Sequence, residues 1–173
     1  MISPTVIVIM IMGVSGSGKT TVGSALAHQL GWEFADSDDF HSPENIAKMH
    51  SGVPLTDEDR EPWLRVLNAR IRGWIDDHQP TVLACSALKR SYREALLAGV
   101  RTNAVGFVYL EVPVSELRNR MHEREGHYMP ESLLGSQLAT LEPPSSEEAT
   151  TVDASGTVDQ TVDAVKRALS FGN

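Results

Sequence analysis

The sequence predicts an α/β fold: a three-layer sandwich in which a five-stranded parallel sheet carries helices on both faces, with a small helical lid. Two features carry this reading. Short β-branched and apolar runs, suited to strands buried on both faces, alternate with longer stretches whose apolar residues recur at helical spacing. A glycine-rich turn also joins the first such run directly to the first helical stretch. The length of 173 residues fits one domain spanning 1–173, with the lid expected within 118–135.

Taken in order, Thr5 to Met12 reads as the first buried strand, and Gly13 to Gly18 breaks it. Val22, Ala25, Leu26 and Leu30 mark a helix from Lys19 that stops at Gly31. Trp32 to Ala35 is a short second strand running into Asp36-Ser37-Asp38-Asp39. Ser42-Pro43 reads as an N-cap with proline at the first helical position, opening a helix that ends at Gly52. Thr56 and Asp59 form a capping pair for a long helix whose apolar face is Leu64, Leu67, Ile71, Trp74 and Ile75. Pro62 then belongs in its first turn, or the helix starts there. Thr81 to Cys85 is the third strand, Ser86 to Leu97 a helix and Ala104 to Val112 the fourth strand. Helices follow at Val114 to Glu123 and Glu131 to Leu141, then a loop at Pro143 to Glu148. Thr150 to Ala154 is the fifth strand, and Val158, Val162, Val165 and Leu169 mark the last helix.

The formal net charge of −8 argues against general nucleic-acid binding, which calls for a basic footprint, but leaves room for an anionic ligand held by a local positive cluster. A single cysteine, Cys85, allows no intrachain disulfide and points to a reducing compartment. Val6 to Met12 is too short to span a bilayer, and it has no basic region before it. The expectation is a cytoplasmic protein with neither membrane nor nucleic-acid partners.

Gly13-Val14-Ser15-Gly16-Ser17-Gly18-Lys19-Thr20 has two glycines five apart followed by Lys and Thr, the phosphate-binding P-loop pattern. Glycines let backbone N–H groups turn inward around phosphate oxygens, and the following helix presents its positive end to the same anion. Lys19 is expected to reach the β- and γ-phosphates, and the Thr20 hydroxyl to bind Mg²⁺. The candidate ATP-binding residues are therefore Gly13, Val14, Ser15, Gly16, Ser17, Gly18, Lys19, Thr20 and Thr21, and the fold class is that of P-loop NTPases.

Asp36 and Asp38 face the same way in an extended segment, at a strand end of the kind that lines the ligand crevice of open α/β sheets. Asp38 is assigned as the base that orients and deprotonates an attacking hydroxyl, and Asp36 as Mg²⁺ support; the sequence leaves the reverse order open. Phosphoryl transfer also calls for positive groups. Lys48, Arg60, Lys89 and Arg93 form the pool for a substrate anion, with Lys89 and Arg93 on the first turns of a helix. Arg120 and Arg124, before Gly126-His127-Tyr128, have the character of a lid closing over phosphates. His41, His50 and His127 have no metal-ligand spacing, so zinc is not expected, and Cys85 reads as a small buried apolar residue.

Beyond the P-loop, the segments Asp36-Ser37-Asp38-Asp39-Phe40-His41, Asn45-Ile46-Ala47-Lys48-Met49 and Pro54 to Leu64 are distinctive. So are Cys85-Ser86-Ala87-Leu88-Lys89 with Tyr92-Arg93, Arg124-Glu125-Gly126-His127-Tyr128-Met129, and Gln137 with Thr140-Leu141-Glu142-Pro143-Pro144. Together they make the chain resemble the gluconokinase family of small P-loop carbohydrate kinases over nearly its whole length. That resemblance implies ATP- and Mg²⁺-dependent phosphorylation of the 6-hydroxyl of D-gluconate, a homodimer, and a feed into the pentose phosphate pathway. It implies Lys19, Asp38 and Arg124 as catalytic residues, His127 beside the substrate pool, and Arg120 and Arg124 on the phosphates. Thr20 stands where the family often has Ser, and Tyr128 where it often has Phe. Shikimate kinases share the P-loop and the Asp-x-Asp, but the third strand here leads into Cys85 to Lys89 rather than a glycine triplet. The runner-up is a kinase for another small acceptor such as shikimate or a nucleoside. A nucleotide-dependent switch without a small-molecule substrate is the reading from another class, disfavoured by the paired aspartates.

Overall fold

The structure is a computed structural model and describes residues 5–123 and 131–170. Five strands form one parallel sheet: β1 (Val8–Met12), β2 (Glu33–Asp36), β3 (Thr81–Ala84), β4 (Val105–Glu111) and β5 (Thr150–Asp153). They lie in the spatial order β2-β3-β1-β4-β5. β1 pairs with β3 on one side, Val8 opposite Thr81, and with β4 on the other, Val8 opposite Val105.

The helices are α1 (Lys19–Leu30), α2 (Pro43–His50), α3 (Asp57–Asp76), α4 (Arg90–Leu96), α5 (Val114–Glu123), α6 (Glu131–Thr140) and α7 (Val158–Leu169). Alternation along β1 divides the core into two layers. Ile9 and Ile11 pack with Val22 and Leu26 of α1, Leu117 of α5, Leu134 of α6 and Val162 and Val165 of α7. Val8, Met10 and Met12 face the other way, onto Trp63, Leu67, Ile71 and Ile75 of α3 and Tyr92 and Leu96 of α4. The three-layer α/β sandwich is therefore as expected, and no described helix is long and apolar enough to cross a membrane.

Local signals place several boundaries. Ser42 accepts a hydrogen bond from the Asn45 N–H with Pro43 at the first helical position, and Thr56 and Asp59 form a reciprocal capping box at the start of α3. Two expectations need correction. Pro62 is the sixth residue of α3, because the capping box starts the helix a full turn earlier. The helix expected from Ser86 begins only at Arg90. Ala87 there has φ 46°, and the carbonyls of Ala87 and Leu88 turn away to meet the Arg93 guanidinium. The expected lid, 118–135, includes residues 124–130, which lie outside the described residues.

Leu67 is fully buried in the α3 face, whereas its neighbour Val66 is 45% exposed. Leu67→Ala is expected to lower stability by about 2–5 kcal/mol and Val66→Ala by less than about 0.5 kcal/mol. Urea unfolding midpoints of the two variants check the contrast.

Candidate active site

The candidate residues collect at the C-terminal edge of the sheet, where open α/β folds bind ligands. β1 leads into the phosphate loop, β2 into the acidic turn, β3 into residues 85–89, and β5 into residues 154–157. Gly16 and Gly18 take φ of 83° and 95°, the left-handed geometry that turns successive amides inward. A Cβ on Gly13 would lie 2.6 Å from Ser17 Oγ, so the loop closes only around glycine. Ser17 Oγ is buried and has no hydrogen-bond partner among the described residues. Lys19 Nζ donates to the Val14 carbonyl at 3.1 Å, folding back over the loop. The Ser15 N–H donates to Gln137 Oε1 at 2.7 Å, which ties α6 to the loop.

Thr20 Oγ1 donates to Asp36 Oδ2 at 2.7 Å, and the Asp38 N–H donates to the other oxygen of Asp36 at 3.0 Å. One carboxylate thus links the end of the phosphate loop to the acidic turn. The Asp38 side chain is 75% exposed to the open cleft. The surrounding protein walls nevertheless raise its pKa, with the Asp36 carboxylate adding to the effect and Lys19 opposing it. A carboxylate so placed is a stronger base than an isolated aspartate.

The expected cation pool divides. Lys48 Nζ lies 2.7 Å from Asp59 Oδ2, and this contact with the cap hydrogen bonds holds the Asp59 pKa at about 2. Arg60 donates to the Leu55 carbonyl at 2.6 Å and to the Tyr92 hydroxyl at 3.2 Å. Tyr92 in turn donates to Asp57, which also meets Lys89 Nζ at 3.1 Å. Arg60, Lys89 and Tyr92 therefore form one cluster where α3 meets the start of α4. Arg93 does not join it. Its side chain is 4% exposed, with Nη1 on the carbonyls of Ala87, Leu88 and Glu142 and Nε on Glu148. The structure gives Arg93 a framework role in place of the expected substrate contact.

Arg120 approaches the phosphate loop from α5, donating to the Gly16 carbonyl at 3.3 Å and the Ala154 carbonyl at 2.6 Å while pairing with Glu116 at 3.2 Å. It lines a cavity of about 490 Å³ together with Gly18, Thr21, Ser155, Gly156 and Thr157. The 154–157 loop thus stands beside the phosphate loop, as a wall of the nucleotide pocket would. Arg124 and His127 lie outside the described residues.

The sequence assigns no site role to His41, Asn45 or Trp63, although all three stand in the segments that carry the family resemblance. His41 stacks on Trp63 with ring centroids 4.3 Å apart, and its Nε2 lies 4.0 Å from Asp38 Oδ1. Trp63 is pinned by its own indole N–H, which donates to the Ser37 carbonyl at 2.8 Å. The available signal was positional: His41 and Asn45 straddle the Ser42 cap, four residues apart.

A parallel sheet of this order, with a glycine-rich loop between its central strand and first helix and an acidic turn beside it, defines a P-loop kinase. The family described as "AAA domain" matches residues 8–144. A gluconokinase of Gluconobacter oxydans is 49% identical over 140 residues, covering 81% of this chain and 78% of that protein. The crystal structure of a gluconokinase from Sinorhizobium meliloti superposes with a TM-score of 0.84 at 45% identity, covering 94% of this chain and 90% of that one. The chain belongs to the gluconokinase family. A shikimate kinase from Bacteroides thetaiotaomicron, with a TM-score of 0.68 at 18% identity over 95% of this chain and 99% of that one, shares the fold alone.

Burial and the nearby Arg60 charge lower the His41 pKa from 6.5 to about 4. Between those values the unfolded chain binds a proton that the folded chain refuses. Stability is therefore complete above pH 6.5 and falls on acidification toward pH 4, by up to about 3 kcal/mol from this residue. In His41→Phe, denaturant midpoints measured across that window are expected to show a shallower fall. Arg93→Met removes the partner of Glu148 Oε1 and the donor to the Ala87 and Glu142 carbonyls, while Leu88 and Glu148 keep the Glu142 and Ser145 N–H groups; it is expected to lose about 2–3 kcal/mol of stability in urea unfolding.

Proposed function

We propose that the protein phosphorylates the 6-hydroxyl of D-gluconate with Mg-ATP, giving 6-phospho-D-gluconate and ADP. The observation that supports it most directly is the Thr20–Asp36–Asp38 line beside the phosphate loop, in a chain 49% identical to a gluconokinase. The loop fits a polyphosphate: its glycines leave no room for a Cβ at Gly13, and the buried Ser17 hydroxyl has no protein partner among the described residues.

Bound Mg-ATP supplies the transferable γ-phosphoryl group. The amides of residues 13–20, with Lys19, hold the phosphate oxygens, and Thr21 and Arg120 line the nucleotide pocket. Thr20 and Asp36 are the residues that would hold Mg²⁺, the shared hydrogen bond keeping both oxygens in place. Asp38 orients the acceptor hydroxyl and takes its proton as the new O–P bond forms and the bond from the γ-phosphorus to the departing ADP oxygen breaks. Arg60 and Lys89 supply charge for the gluconate carboxylate, and arginine suits a bidentate contact. Lys48, fixed on Asp59, braces α2 against the start of α3 and borders this side of the site. A cytoplasmic homodimer is the form in which we expect the enzyme to act.

ADP formation from Mg-ATP, measured with D-gluconate, shikimate, glucose or no acceptor, tests the reading. Stimulation by gluconate alone is expected; equal or greater stimulation by shikimate overturns the substrate. Asp38→Asn is expected to lower turnover by about 10²-fold or more while ATP affinity stays within a few-fold. Near-normal turnover removes Asp38 from the base role.

A further inference from the structure

A chain of hydrogen-bonding groups runs from the cap of α3 to the candidate base. Asn45 Nδ2 donates to the Asp59 backbone carbonyl at 2.8 Å. A carbonyl only accepts, so this contact fixes which end of the Asn45 amide faces inward. The same nitrogen lies 3.4 Å from His41 Nδ1. Its second hydrogen therefore meets His41 Nδ1 as an acceptor, which leaves the proton of the neutral ring on Nε2. That Nε2 lies 4.0 Å from Asp38 Oδ1. Stacking on Trp63, within 10° of parallel, fixes the plane of the ring, and the His41 side chain is 4% exposed.

We propose that His41 is a positioning residue: a neutral imidazole, its tautomer set by Asn45, whose Nε2–H is aimed at the Asp38 carboxylate and holds one oxygen so that the other meets the acceptor hydroxyl. This rests on the gluconokinase reading above. The exposed Asp38 side chain has the freedom to close the remaining distance of about 1 Å to a hydrogen bond. Neutrality is the useful state. A charged imidazolium would form an ion pair with Asp38 and weaken it as a base, whereas a neutral N–H orients the carboxylate at smaller cost to its basicity. Among the described residues, the charged groups facing the ring are Asp38 and Arg60, and Arg60 opposes protonation. Asn45 and Trp63 contact it without charge.

Two measurements on the full chain test this. In long-range ¹H–¹⁵N spectra at mildly alkaline pH, the His41 resonances, assigned by their loss in His41→Phe, are expected to show an unprotonated Nδ1 and a protonated Nε2. The opposite tautomer overturns the proposal. In kinetics, His41→Phe keeps an aromatic ring on Trp63 but removes the donor. A fall in kcat on the order of 10- to 100-fold is expected, with KM for ATP unchanged and partial recovery in His41→Gln, whose amide can donate from a similar place. A wild-type kcat in His41→Phe overturns the role of His41 alone. Absence of gluconate-dependent turnover in the wild type overturns the functional reading, and the role of His41 with it.

Discussion

Strand β1 pairs with β3 along one edge and β4 along the other, and all five of its side chains are buried. The backbone that enters the phosphate loop therefore cannot shift without unpairing two strands and opening both core layers. That constraint gives the loop its rigidity. A cradle built from backbone amides works only if the amides are already in place, because ordering a free loop around an anion would cost about 1–2 kcal/mol per residue. β3, paired with β1, and β2, paired in turn with β3, carry the same fixed frame to residues 85–89 and to the acidic turn.

A chain with a net charge of −8 that handles polyanions must put its positive potential in the right place. Most of its cations near the cleft are paired internally: Lys48 with Asp59, Lys89 with Asp57, Arg93 with Glu148, Arg120 with Glu116. Arg93 is buried in its pair, whereas the pairs of Lys48, Lys89 and Arg120 stay partly exposed and add little stability, so their main effect is to aim the side chains. The phosphate site depends more on the inward-turned amides and the N-terminus of α1, neither of which counts in the formal charge.

How much of this was legible in the sequence depended on the range of the interactions. The phosphate loop, the Ser42 cap and the Thr56–Asp59 box were readable because each is set by residues within a few positions of one another. α1, α5 and α7 likewise carried their limits in local periodicity and punctuation. The segment 86–89 reads as helix locally but is not one, because its shape is fixed from a distance: Arg93 collects its carbonyls, and the Glu142 N–H donates to Leu88 across 54 positions of chain. Arg93 looked like a free cation for the same reason, since its partners on the 142–148 loop meet it only in the fold. His41 has no metal-ligand spacing to mark it, and a hydrogen-bonded tautomer leaves no trace in composition.

Cys85, the single thiol, continues β3 beneath the acidic turn, wholly buried and with its pKa raised to about 12 by burial. At physiological pH it holds almost no thiolate, so oxidants and alkylating reagents find little to attack while the cleft floor is closed. Its reactivity measures how often that floor opens. The enzyme thus carries a native chemical clock for local unfolding directly under its proposed base, readable without any introduced label.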